Sequence, residues 1–160
     1  MRAELYWICK VSAGRLATMP RPRGGDWLSA ELRSLREQGV DIVLSLLRSE
    51  EEVELDIVEE KSLCAENELV FRSFPIIDRA VPESRSTVLE LANSLLQELQ
   101  SGKNVAIHCR AGIGRASLIA ACVLKLHGVD VDEAFEMISR ARGFAVPDTP
   151  EQHRWVKTLE

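Results

Sequence analysis

The sequence predicts an α/β domain, a three-layer α/β/α arrangement whose central sheet is mostly parallel. Two observations carry this. Short apolar runs alternate with amphipathic helical stretches through most of the chain, the order expected when crossover helices join parallel strands. The run Val40–Leu46 is also nearly unbroken in apolar side chains, as in a strand buried on both faces. The 160 residues match one ordinary domain, read here as 1–160.

The elements follow in order. Glu4–Cys9 and Gly14–Met19 are short and apolar enough for strands. Pro20–Asp26 is a loop by its Pro and Gly content. From Asp26 the pattern turns helical, with Trp27, Leu28, Leu32 and Leu35 on one face and Gly39 as the stop. Ser49 with the three glutamates after it opens a second helix reaching about Glu66, and Glu68–Phe74 is the next strand. PIIDRAVPES is a loop, Ser84–Leu99 a helix, and Val105–His108 a strand. Ala116–His127 and Val131–Arg142 are helices, and Thr149 caps a last one with Pro150 in its first turn.

Composition narrows the function. Hydrophobic residues make up 46% and charged residues 28%, with a formal net charge of −5. That balance is globular and argues against a nucleic-acid partner, which calls for a basic footprint. It does not argue against an anionic ligand, since backbone dipoles and a few arginines make a positive pocket in an acidic protein. No apolar stretch approaches the roughly 20 residues of a membrane helix, and no targeting segment stands out. Cys9, Cys64, Cys109 and Cys122 are irregularly spaced, so neither a zinc pair nor a disulfide framework is indicated. A reduced, cytoplasmic setting is the expectation.

The chemistry concentrates in HCRAGIGRAS, residues 108–117. Ligands of parallel sheets bind at the carboxyl ends of strands, and Cys109 follows such an end. A glycine-bearing loop between strand and helix offers backbone N–H donors and the positive end of the helix to an anion. Gly112 and Gly114 allow the tight turn. Arg115 adds a planar fork for two oxygens, and the same field favours a Cys109 thiolate, a nucleophile beneath a bound oxyanion.

HCRAGIGR resembles the Cys-x5-Arg signature of the cysteine-based protein tyrosine and dual-specificity phosphatases, matching at His108, Cys109, Gly112, Gly114 and Arg115. Rhodanese-like sulfurtransferases carry a shorter loop. RLATMPRPRGGDWL, FPIIDRAVPES and GFAVPDTPEQ look like the corresponding segments of small dual-specificity-like phosphatases. The resemblance implies the cysteine-phosphatase fold and a phosphomonoester hydrolase with no metal and no cofactor. Cys109 would be the nucleophile, and Arg110, Ala111, Gly112, Ile113, Gly114 and Arg115 the phosphate-binding loop. Asp78 would be the general acid, with Glu83 as second candidate, read instead as opening the next helix. Arg79 either steers the substrate or lies in solvent.

His108, in the family, shapes the loop and supports the thiolate. Gln152 would position the hydrolytic water, although Thr149–Gln152 reads equally as a capping box. Asp148 is then a turn residue.

Two departures stand out. Where relatives often read PDRG, this chain has Ile77-Asp78-Arg79-Ala80, and the hydroxyl residue usual after the arginine is Ala116, with Ser117 one place on. Cys64 and Cys122 are candidate redox partners for Cys109, with core packing the plainer reading. The substrate expected is a phosphorylated protein, phosphotyrosine first, acted on by a monomer. An inositol phosphate or phosphoinositide is the alternative, disfavoured because Arg110 is the one basic residue between Cys109 and Arg115. A slow phosphate-binding pseudophosphatase is the third reading.

Overall fold

The computed structural model describes residues 2–159. Its strands are β1 (Tyr6–Val11), β2 (Gly14–Met19), β3 (Ile42–Ser45), β4 (Val70–Ser73) and β5 (Val105–His108). The helices are α1 (Leu28–Glu37), α2 (Ser49–Glu54), α3 (Glu60–Glu66), α4 (Arg85–Gln100), α5 (Arg115–Leu126), α6 (Val131–Arg142) and α7 (Pro150–Lys157). The sheet order is β1-β2-β5-β3-β4. β2, β5, β3 and β4 run parallel, and β1 pairs antiparallel with β2 at one edge. The mostly parallel sheet expected from the sequence is therefore present.

Residue alternation along the strands divides the core in two. On β5, Val105 and Ile107 join the cluster under α4, α5, α6 and α7, while Ala106 joins the cluster with α1 and α3. On β3, Ile42 and Leu44 face the first side and Val43 the second. Strands clothed on both faces must be apolar at every position, which is why these runs show no polar alternation. α5 is the central helix, with every residue from Arg115 to Leu124 buried.

The register aligns the strand ends. Met19, His108, Ser45 and Ser73 form one row across β2, β5, β3 and β4. The loops after these four residues therefore open at one edge, and the Cys109 loop sits between the other three.

Two expectations are corrected. The helix expected from Ser49 to about Glu66 is two helices. α2 closes with Asp56 in the left-handed region (φ 56°), the Asp56 amide on the Val53 carbonyl and the Ile57 amide on that of Glu52. This is the hydrogen-bond pattern of a Schellman stop, completed by an aspartate where glycine is usual. It turns the chain so that Ile57, Glu60 and Cys64 are buried under the sheet. Trp27 does not share the buried face of Leu28, Leu32 and Leu35, and is 53% exposed. It lies in a 3₁₀ turn, Gly25–Trp27, out of phase with the α-helix that follows, with the Arg23 guanidinium 5.1 Å above its ring.

The burial contrast between strands makes a stability prediction. Leu44→Ala, in fully buried β3, should cost about 2–5 kcal/mol. Val70→Ala, on edge strand β4 and 57% exposed, should cost less than about 1 kcal/mol. Urea unfolding midpoints of the two variants check this ordering.

Candidate functional site

The loop from Cys109 to Gly114 bridges the end of β5 and the start of α5. Gly112 holds φ 74°, and a Cβ there would fall 2.7 Å from the Met19 carbonyl group. The loop is thus pressed against the end of β2, and the Arg21 amide bonds the Arg110 carbonyl at 3.1 Å. Gly114 is equally confined. A Cβ on it would lie 2.2 Å from Asp148 Oδ2 and 3.0 Å from Gln152 Nε2. Among the described residues, the amides of Arg110 to Gly114 donate to no other protein group.

Arg115 is 1% exposed and opens α5. Its Nη1 donates to Glu51 Oε1 (2.7 Å) and to the Ile76 carbonyl (2.9 Å), and its Nη2 donates to Glu51 Oε2 (2.9 Å). Nη2 also lies 3.2 Å from Asp78 Oδ1. The guanidinium is therefore held in a two-point fork by one carboxylate and approached by a second. Its Nε is buried and makes no hydrogen bond. Burial alone would raise the Glu51 pKa. The hydrogen bonds from Arg115 and the Arg48 amide, with the charges of Arg115 and Arg110, more than offset this and hold it below the usual range.

Asp78 is half-exposed in the loop after β4, its carboxylate at Arg115. Arg79 beside it is exposed, with left-handed backbone (φ 61°). Glu83 is exposed and lies just outside α4, whose N-cap is Ser84. Of the two candidate acids, only Asp78 touches the arginine. Cys109 is buried, at 3% exposure.

Of the two sequence readings of Gln152, the capping box is present, formed with Thr149. The Gln152 Nε2 reaches the Ala80 carbonyl at 3.4 Å, linking α7 to the Asp78 loop. Asp148 lies in a bend, and its carboxylate also packs against Gly114.

His108 is fully buried, with Nε2 2.6 Å from Glu60 Oε2 and Nδ1 3.2 Å from the Cys109 carbonyl oxygen. Arg110, the basic residue inside the loop, is taken up by Glu54 at 2.8 Å. All four cysteines are free. Cys64 belongs to the core cluster on the opposite side of the sheet from Cys109, whereas Cys122 shares the Cys109 side. Burial pushes the thiols of Cys64 and Cys122 up to about 12, with Glu60 adding to the effect at Cys64. They behave as core residues.

Sequence reasoning missed Glu51, Glu60 and Arg142. The glutamates stand among other acidic residues of the helical stretch after Ser49, and no local signal separates them from exposed Glu50. Arg142 Nη2 donates to the Ala111 carbonyl at 3.1 Å, with Tyr6 and Phe144 rings 4.5 and 4.3 Å from its guanidinium carbon. The Val131–Arg142 helix gave no hint that its last residue reaches the loop.

The Glu51–Arg115 pair makes a pH prediction. A carboxyl held below its unfolded value of about 4.3 contributes stability that is present above that value and is lost as pH falls through the folded pKa. Glu51→Gln should cost about 3–5 kcal/mol at pH 7, since it breaks a buried pair. The gap from the unaltered protein should narrow as pH falls below about 4.3, towards and through the lowered folded-state pKa. Urea unfolding at pH 7, 5, 4 and 3 reads this directly; a gap independent of pH would mean that Glu51 charge is not what matters.

Comparison with known proteins places this chain in a family. The profile described as "Polymorphic toxin system, DSP-PTPase phosphatase" matches residues 17–129. The mouse dual specificity protein phosphatase 2 is 32% identical over 79 residues, 49% of this chain and 25% of that protein. The chain thus spans about a quarter of that relative. Among solved structures, kinase associated phosphatase, with its catalytic-site cysteine changed to serine, superposes with a TM-score of 0.88 at 18% identity, covering 98% of this chain and 93% of that one. Tk-PTP in its active form gives a TM-score of 0.76 at 25% identity over 100% of this chain and 98% of that one. The profile match takes in more than half of the chain, from β2 through the Cys-x5-Arg loop and α5, and the protein therefore belongs to the DSP-PTPase phosphatase family.

Proposed function

We propose that the protein hydrolyses phosphomonoesters through a phosphocysteine intermediate, with phosphorylated protein, phosphotyrosine foremost, as substrate. One observation carries the reading. Cys109 and Arg115 bracket a loop whose amides from Arg110 to Gly114 donate to no other protein group among the described residues, and the buried Arg115 Nε is likewise unbonded among them. Such a set of donors suits a tetrahedral oxyanion.

In this reading the Cys109 thiolate attacks phosphorus and the bond to the leaving oxygen breaks. The loop amides and Arg115 hold the three remaining oxygens, and Asp78 gives its proton to the leaving oxygen. The Asp78 carboxylate then takes a proton from water, held by Gln152, as that water attacks phosphorus. The P–S bond breaks, and phosphate and the Cys109 thiolate are released. The position of Asp78 suits both steps, since it lies beside the guanidinium that would hold the phosphoryl group.

A protein substrate is favoured over an inositol phosphate because the extra cation of the loop, Arg110, is already paired with Glu54. That leaves it poorly placed for additional ring phosphates. Turnover of phosphotyrosine and phosphoserine peptides against phosphoinositides tests the choice, and preference for the lipid would reverse it.

Three substitutions test the mechanism. Cys109→Ser should abolish turnover yet keep vanadate binding, because the cradle is intact; residual turnover would exclude the phosphocysteine route. Asp78→Asn should slow alkyl phosphates far more than a reactive aryl phosphate, and equal loss on both would make Asp78 structural. The third concerns Ala116, which is fully buried, next to a Ser117 hydroxyl that is buried without a hydrogen-bond partner. Neither supplies a visible donor to the leaving thiolate, so breakdown of phosphocysteine should limit turnover and give a burst of one leaving group per enzyme. Ala116→Ser should raise the steady-state rate about tenfold to a hundredfold, the equivalent of one hydrogen bond to a charged partner. An unchanged rate and burst would show that formation is the slow step or that another donor already serves.

A further inference from the structure

We propose that Glu60 is a positioning residue for the Cys109 loop, acting through His108, which it holds as an imidazolium hydrogen-bonded to the Cys109 carbonyl. The proposal rests on the phosphatase reading of Cys109.

The protons can be counted from geometry. The Cys109 carbonyl only accepts, so Nδ1 of His108, 3.2 Å away, carries a hydrogen. Nε2, 2.6 Å from Glu60 Oε2, then shares one proton with that carboxyl group. The pair is net neutral, either imidazolium with carboxylate or neutral ring with carboxylic acid. Burial works against a charged ring, but the Glu60 carboxylate more than offsets it and raises the His108 pKa.

Besides Glu60, Glu52 on α2 also favours the charged form of the ring, while Cys64 on α3 feels Glu60 and is held neutral by burial. On the flanking strands, the paired residues Met19 and Ser45 carry no charge.

Packing alone does not explain Glu60. Its side chain is wholly buried, Oε1 has no hydrogen-bond partner, and Oε2 bonds only His108 among the described residues. An apolar residue would fill this space at lower cost. What the carboxylate adds is a fixed ring and an ion pair whose positive end is turned to the Cys109 carbonyl, with the Glu60 charge on the far side of the ring. A dipole so oriented favours the thiolate over the thiol.

The test reads Cys109 independently of turnover. Iodoacetamide alkylation of Cys109, followed against pH, gives the thiolate titration. Glu60→Gln should move it, and the acid limb of kcat/KM for a reactive aryl phosphate, upward by about one pH unit, a tenfold loss on the acid side. His108→Asn keeps an N–H donor for the Cys109 carbonyl without the charge, and should shift the titration similarly. Adding Glu60→Gln to His108→Asn should then move nothing further. An unmoved titration in folded Glu60→Gln, or an equal further shift in the double variant, would overturn the proposal.

Should Glu60→Gln not fold, ¹⁵N NMR of the unaltered protein decides. The His108 ring should show both nitrogens protonated at pH 7, and a neutral tautomer would overturn the charge assignment. Absence of phosphatase turnover in the unaltered protein would instead defeat the functional reading, while alkylation and NMR still report on Glu60.

Discussion

The architecture of the site depends on one buried ion pair. Arg115 lies at the first position of the central helix, where its guanidinium is almost completely removed from water. A buried cation must be paired, and leaving it alone costs several kcal/mol. Glu51 meets it in a fork, and the Ile76 carbonyl takes a further hydrogen. Through this one side chain α5 is tied to α2 and to the loop after β4. The short α2 is therefore placed by charge as much as by packing, and the loop bearing Asp78 is anchored two residues from that aspartate.

The same logic runs through the surrounding charges. Arg110 is matched by Glu54, Arg115 by Glu51 and His108 by Glu60. All three acids come from α2 and α3, the pair of helices created by the break at Asp56. Each basic side chain at the loop thus has a carboxylate partner. In the proposed function, attraction for the phosphoryl group falls chiefly to the loop amides, the start of α5 and the Nε of Arg115, groups that recognise shape as well as charge.

Confinement complements charge. Gly112 is pressed against the end of β2 and Gly114 against Asp148 and Gln152. Neither position has room for a side chain. Arg142, between the rings of Tyr6 and Phe144, holds the Ala111 carbonyl from outside. The loop is thus in contact with the β2 end, the α6 end and the α7 approach.

The sequence by itself determined the strand runs, their mostly parallel arrangement and the Cys-x5-Arg loop at a strand end, because these depend on local periodicity and on residue types at fixed short spacing. It also singled out Asp78 and Gln152, through resemblance to a family. It could not separate Glu51 and Glu60 from the exposed glutamates around them, nor foresee that the helix after Ser49 breaks at Asp56. Those outcomes hang on which side chains meet a buried Arg115 and a buried His108 across the sheet. A carboxylate in a run of carboxylates carries no local mark of burial. Only the tertiary structure, which brings residues distant in the chain within hydrogen-bond reach, decides which of them becomes the partner of a buried cation.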